Sequence, residues 1–249
     1  MARTRGYPEL PSALEPGQHS YTTTIRVEIA PGVCEYFTLS YLLYVPAAYS
    51  PDGDGKWPLV LFLHGSGERG DDLALLKAQP LPKLLEERAD FPALVVSPQL
   101  GPERKRWSDL LDPACALVDQ IAGAHAVDGR RLYATGLSLG GFGVWELALC
   151  SSRQRFAAIV PIAGGWREGS RDVPEGISEL RGLPVWAFHG ALDETVPAYQ
   201  SEVLVEALRA RGGDVRFTLY PDADHVESWL RAYTDPELYE WLFAQVLAG

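Results

Sequence analysis

Basic residues are scarce in this chain: 22 Lys and Arg stand against 33 Asp and Glu, a net charge of −11 over 249 residues. A surface of that sign repels phosphate backbones and anionic lipid heads at long range, which argues against nucleic acid and membranes as partners. Arg104, Lys105 and Arg106 form the only tight basic cluster, and its plain reading is a solvated loop. Cysteine is scarcer still. Cys34, Cys115 and Cys150 make no paired framework and show no metal-ligand spacing, so reduced, buried thiols are expected, with no metal and no cofactor. No apolar run reaches the ~18 residues of a membrane span. Met1 to Ser20 lack the apolar stretch of a secretory signal, which reads as a cytoplasmic protein. Linkers, internal repeats and low-complexity tracts are missing too, so residues 1–249 are expected to form one domain. Residues 1–20, with Pro8, Pro11, Pro16 and Gly17, read as an extended arm on its surface. No apolar helix face stands out to mark an oligomer interface.

What is present is a regular alternation. Thr22–Ile29 and Phe37–Val45 are rich in β-branched and aromatic residues and alternate as antiparallel strands do, with Pro31-Gly32 as the turn between them. Beyond the break at Ser50–Lys56 the pattern becomes short continuous apolar runs, the mark of strands buried on both faces. These are Leu59–Leu63, Ala93–Ser97, Arg131–Thr135, Ala157–Ile162 and Val185–Phe188, with Val215–Tyr220 last. Helical periodicity fills the gaps at Leu73–Arg88, Asp112–Ala124, Gly140–Cys150, Ala198–Arg211 and Pro236–Ala248. Asp112-Pro113 suits a helix start and Gly212-Gly213 a helix end. The class is α/β: a mostly parallel central sheet with helices on both faces and an antiparallel N-terminal hairpin. In such a sheet ligands bind beyond the carboxyl ends of the strands, so chemistry belongs just after the apolar runs.

Gly136-Leu137-Ser138-Leu139-Gly140 sits at such a place, between a strand and a helix. A serine on a sharp strand-to-helix turn is held proud of the sheet, and flanking glycines let the two backbones approach. The plain reading is a glycine-rich turn; the strand-before, helix-after context favours a nucleophile. A serine hydroxyl needs a positioned base. Of five histidines, His19 lies in the arm and His125 ends a helix, while His64 and His189 each follow a strand and precede glycine as buried scaffolding. His225, in the polar loop after the last strand, is the candidate base. Asp193, beyond Val185–Phe188, is the candidate acid that fixes its tautomer, with Glu194, Asp222 and Asp224 as competitors. An oxyanion would need backbone donors. Leu139, at the start of the helix, and Ser66, in the glycine-rich loop His64–Gly70, are the candidates. That loop lacks the Lys-Ser/Thr ending of a phosphate cradle. Gln99, Trp107 and Trp166, each beyond a strand end, are candidate substrate-binding residues, against ordinary packing for the tryptophans.

These residues resemble the phospholipase/carboxylesterase-like branch of the α/β-hydrolases, often labelled predicted peptidases, over about Tyr36 to Leu247. The match rests on Leu63-His64-Gly65-Ser66-Gly67-Glu68-Arg69-Gly70, Gly136 to Gly141, Phe188-His189-Gly190 leading to Asp193, and Pro236-Glu237-Leu238-Tyr239 with Trp241-Leu242. The resemblance implies an α/β-hydrolase fold and esterase activity on short acyl esters, with some relatives acting as feruloyl or acetyl esterases on plant polysaccharide. Asp224 stands where the pattern usually has glycine, and Trp229 follows His225 by four residues where the pattern has three. Both departures bear on the pocket wall beside His225. The expected protein is a serine carboxylesterase acting on a small-molecule ester. Its rivals are a serine peptidase of the same fold and a catalytically silent binding module. Residues 163–183 are short and polar, which leaves little for an apolar lid and argues against a lipase.

Overall fold

A computed structural model describes residues 9–53, 55–150 and 155–247. Eight strands form one sheet: β1 Gly17–Ala30, β2 Val33–Val45, β3 Trp57–Leu63, β4 Leu94–Pro98, β5 Val127–Leu137, β6 Ala158–Ile162, β7 Val185–Gly190 and β8 Val215–Tyr220. Their order across the sheet is β1-β2-β4-β3-β5-β6-β7-β8. β1 and β2 are the antiparallel hairpin, turning at Gly32 with φ 74°, and β3 to β8 run parallel. Six α-helices are described: α1 Pro80–Glu87, α2 Leu111–Ala124, α3 Leu139–Leu149, α4 Tyr199–Arg209, α5 His225–Thr234 and α6 Pro236–Ala244.

The continuous apolar runs find their explanation here. Successive side chains of a strand face opposite ways, and both faces of this sheet are covered. Leu59, Leu61 and Leu63 of β3 join one apolar core with side chains from α2, α3 and α4. Val60 and Phe62 join a second with α1, α5 and α6. α5 is clipped to the strand before Ser138: the buried Tyr233 hydroxyl pairs with the Thr135 hydroxyl at 2.9 Å, and Thr135 Oγ1 donates to the Val160 carbonyl at 2.9 Å.

Five expectations need correction. The arm is shorter than 1–20, because Gly17 to Ser20 already pair with β2; residues 1–8 lie outside the described residues. Leu73–Arg88 is not one helix. A 3-10 turn over Leu73–Ala78 ends before Pro80, whose fixed φ and missing N–H start α1 afresh. Around Asp112, the flanking residue is Leu110, and Asp112 sits inside the first turn. His225 does not lie in a loop. Asp224 accepts the Glu227 N–H at 2.9 Å and Glu227 accepts the Asp224 N–H at 3.3 Å, a capping box that makes His225 the first residue of α5. Cys115 is buried as expected, whereas Cys34 and Cys150 are partly exposed.

Replacing Tyr233 by Phe removes one buried hydrogen bond without changing shape. The expected outcome is a loss of about 1 kcal/mol in urea unfolding with the fold unchanged.

Candidate active site

β5 ends at Leu137 and α3 begins at Leu139, so Ser138 alone reverses the chain, at φ 53° and ψ −119°. A residue with a Cβ pays roughly 1–3 kcal/mol to sit there. Neighbours hold it: its N–H donates to the Ile162 carbonyl at 2.9 Å, and its carbonyl accepts the Phe142 N–H at 3.1 Å. Glycine is needed at position 140, where a Cβ would overlap the Leu63 carbonyl oxygen. At position 136 a Cβ would come within 2.6 Å of the Gly140 carbonyl.

The structure brings Ser138, His225 and Asp193 into one line. Ser138 Oγ lies 3.0 Å from His225 Nε2, and His225 Nδ1 lies 2.5 Å from Asp193 Oδ2. Because a carboxylate can only accept, Nδ1 carries the proton and Nε2 is free to take one from the hydroxyl. Asp193 is buried and ends β7's loop in a tight turn, its Oδ1 accepting the N–H groups of Thr195 at 2.9 Å and Val196 at 2.8 Å. Burial opposes its charge, but the bonds from His189, His225 and Val196 outweigh that and hold the carboxyl well below the usual carboxylate range. The competing acids are elsewhere. Asp222 pairs with Arg231 at 2.6 Å, Asp224 caps α5, and Glu194 is exposed.

Ser66 opens a 3-10 turn over Ser66–Glu68, and Leu139 opens α3. The first N–H groups of a helical turn have no partner inside it, so both residues offer donors. With Ser138 they line a cleft of about 270 Å³, walled by Trp107, Phe142, Trp166 and Val196 and rimmed by Arg69, Lys105, Arg106, Glu146 and Glu168. Trp166 is half-buried in that wall. Trp107 is 1 % exposed, and its indole N–H donates to the His64 carbonyl at 2.9 Å, so it packs and lines the cleft at once. Gln99 is corrected: it does not line the cleft. Its amide nitrogen is held behind the wall by the Glu68 and Asp72 carbonyls, both at 2.8 Å. Lys105 and Arg106, read as solvated loop, belong to the rim; their place just past β4 was the available signal. Phe142, Glu146, Thr195 and Val196 were missed; their signal was nearness, since Phe142 and Glu146 lie on the helix that follows Ser138, and Thr195 and Val196 stand two and three residues past Asp193. Trp229 packs edge-on against His225, ring centres 4.5 Å apart, which is how the four-residue spacing is used.

The two remaining strand-end histidines are fully buried. His189 Nε2 faces the Val196 carbonyl at 2.7 Å and Asp193 Oδ2 at 3.2 Å, while its Nδ1 meets the Ser201 hydroxyl at 2.7 Å. His64 Nε2 accepts the Leu100 N–H at 2.9 Å, so its Nδ1 carries the proton and donates to the Gly65 carbonyl at 2.6 Å. Among the described residues, no group of three or more His, Cys, Asp or Glu could hold a metal ion, and no helix is long and apolar enough to cross a membrane.

The parallel sheet, the strained serine turn and the Ser-His-Asp line at the strand ends define an α/β-hydrolase. The sequence profile of the dienelactone hydrolase family matches residues 98–230, just over half of the chain, and the chain belongs to that family. A putative carboxymethylenebutenolidase of Escherichia coli is 31% identical over 107 residues, 42% of this chain and 39% of that protein. An uncharacterized secreted protein of Arthroderma benhamiae is 25% identical over 211 residues, 70% of this chain and 22% of that protein. The chain thus spans well under half the length of these curated relatives. Among solved structures, a thermostable esterase is 31% identical with a TM-score of 0.70, covering 90% of this chain and 63% of that one.

Burial, helped by nearby Arg69 and opposed by the Gly65 bond, pushes the His64 pKa down to about 4. As pH falls below the unfolded value of about 6.5, the unfolded chain takes up this proton before the folded one, so stability is complete above that value and declines toward pH 4. The neighbouring Glu68, 3.9 Å from Nδ1, shifts upward through its own burial and works the other way. Between pH 7 and pH 4.5 His64 should remove about 2–3 kcal/mol. Urea unfolding at the two pH values checks this: the drop should be smaller by that amount in His64→Asn.

Proposed function

We propose that the protein is a serine carboxylesterase that hydrolyses short-chain acyl or aryl esters through an acyl-enzyme. The observation that carries this reading is the unbroken hydrogen-bonded line from Ser138 Oγ through His225 to the ionised Asp193. In the proposed reaction Ser138 Oγ attacks the ester carbonyl as His225 Nε2 takes its proton. Asp193 then faces an imidazolium, and its buried negative charge stabilises that cation. The Ser66 and Leu139 N–H groups bind the oxyanion. When the tetrahedral species collapses, the alcohol leaves with the proton from His225, and Ser138 holds the acyl group. Water, deprotonated by the same imidazole, releases the acid and restores the serine.

Substrate size follows from the cleft, which at about 270 Å³ has room for a small acyl or aryl group between Phe142, Trp107 and Trp166. Membership of the dienelactone hydrolase family fits the same chemistry, since a lactone is an internal ester opened by the same attack. The esterase relative supports the reading as well.

The test is turnover of p-nitrophenyl acetate. Ser138→Ala should lower kcat at least about 10⁴-fold, as loss of a nucleophile does, with the thermal midpoint near that of wild type. A Ser138→Ala protein that kept its turnover would sink the assignment. A series of acyl lengths and aryl esters should show activity falling as the acyl chain outgrows the cleft.

A further inference from the structure

The carbonyl that His64 grips and the N–H expected to bind the oxyanion belong to one peptide unit. Gly65 supplies the C=O and Ser66 the N–H, and the described residues contain no cis peptide bond. In a trans peptide the two groups point in opposite directions. Fastening the carbonyl to a ring beneath the loop therefore drives the N–H away from that ring. The ring is fully buried and Ser66 is exposed on the cleft, so away from the ring is toward the cleft. The peptide also lies beside the nucleophile: a Cβ built on Gly65 would stand 3.7 Å from Ser138 Cβ.

We propose that His64 is a positioning residue that aims the Ser66 N–H at the oxyanion by holding the Gly65–Ser66 peptide plane. The inference rests on the reading of Ser138 as nucleophile and Ser66 as donor. Three contacts keep the imidazole from turning. Leu100 donates to Nε2 at 2.9 Å, which forces the proton onto Nδ1. The Trp107 indole ring meets the His64 ring edge-on, centres 4.9 Å apart, and its N–H holds the His64 carbonyl at 2.9 Å. Leu100 is tied back to the far end of the same loop, since its carbonyl accepts the Gly70 N–H at 2.8 Å. The loop after β3 and the loop after β4 thus fix one another through a single neutral ring. A rigid donor of this kind needs no reorganisation when charge develops on the substrate oxygen, which is where such groups gain their effect.

Two amides separate the two ends of the ring. Asn at position 64 places its nitrogen near Nδ1, keeping the donor to Gly65 and losing the acceptor for Leu100. Gln places its amide near Nε2, keeping the Leu100 contact and losing the grip on Gly65. His64→Gln should lose about 10²–10³ in kcat, as removal of one oxyanion donor does, with KM within about twofold. Its affinity for a phenylboronic acid, whose tetrahedral adduct puts an oxygen at the oxyanion position, should fall in proportion. His64→Asn should recover at least tenfold of that kcat although it leaves the buried Leu100 N–H unpaired. Equal losses in both variants, or a folded Gln variant with wild-type kcat, would overturn the proposal. If neither variant folds, nitrogen-15 NMR of histidine-labelled wild type decides instead. At neutral pH the buried ring bonded to Leu100 should carry its proton on Nδ1, and a proton on Nε2 would refute the device. Failure of the underlying assignment shows differently, as wild-type activity that Ser138→Ala leaves intact.

Discussion

The geometry of the cleft depends on how closely the backbone of α3 approaches the end of β3. With no side chain at position 140, the first turn of the helix lies directly on the Leu63 carbonyl, and the Gly136 carbon faces the Gly140 carbonyl. That contact leaves one residue to join strand and helix, and Ser138 takes it at φ 53°. On the proposed reading of Ser138 as nucleophile, this fixed backbone together with the bond from its hydroxyl to His225 Nε2 meets part of the entropic cost of alignment during folding. The strain is in turn held by long-range bonds to β6 and by the two apolar cores that pin the sheet from both sides.

Much of this was legible because the physical signals are local. Short continuous apolar runs such as Leu59–Leu63, bounded by turn residues, fit strands covered on both faces, and a Gly-x-Ser-x-Gly between strand and helix can adopt few shapes. Ser138, Asp193 and His225 each follow an apolar run, which is enough to place them on one rim. The capping of α5 was legible in principle, since Asp224 and Glu227 stand three apart in the pattern of a capping box. Read as a departure from a family glycine, Asp224 hid the helix that it starts.

Other features depend on contacts between loops remote in sequence. Gln99 sits past a strand end as a substrate-binding residue should, yet its amide is consumed by the carbonyls of Glu68 and Asp72. Position beyond a strand locates a residue at the rim but not on which side of the wall it faces. The basic cluster illustrates the reverse case. Lys105 and Arg106 are solvated, as charge alone requires, and are also part of the cleft's edge, because a loop at the rim has both water and substrate on its outer side. Trp107, one residue on, turns inward to His64 and leaves only its lining edge.

The three histidines at the strand ends show how one residue type is divided among tasks by its hydrogen-bond partners. His64 has a donor at Nε2 and an acceptor at Nδ1, which fixes a neutral ring and makes it a rigid link. His189 has a carbonyl and a carboxylate at one nitrogen and a hydroxyl at the other, so it braces the turn that carries Asp193. His225 has a carboxylate at Nδ1 and the Ser138 hydroxyl at Nε2, so its second nitrogen faces the serine. The side chains of His64 and His189 are wholly enclosed, whereas that of His225 keeps 13 % of its surface open. In the proposed reaction, exposure on one side is what the proton carrier needs, because the alcohol and then water must reach the same nitrogen. The ring proposed as base is therefore the one that the fold leaves incompletely satisfied.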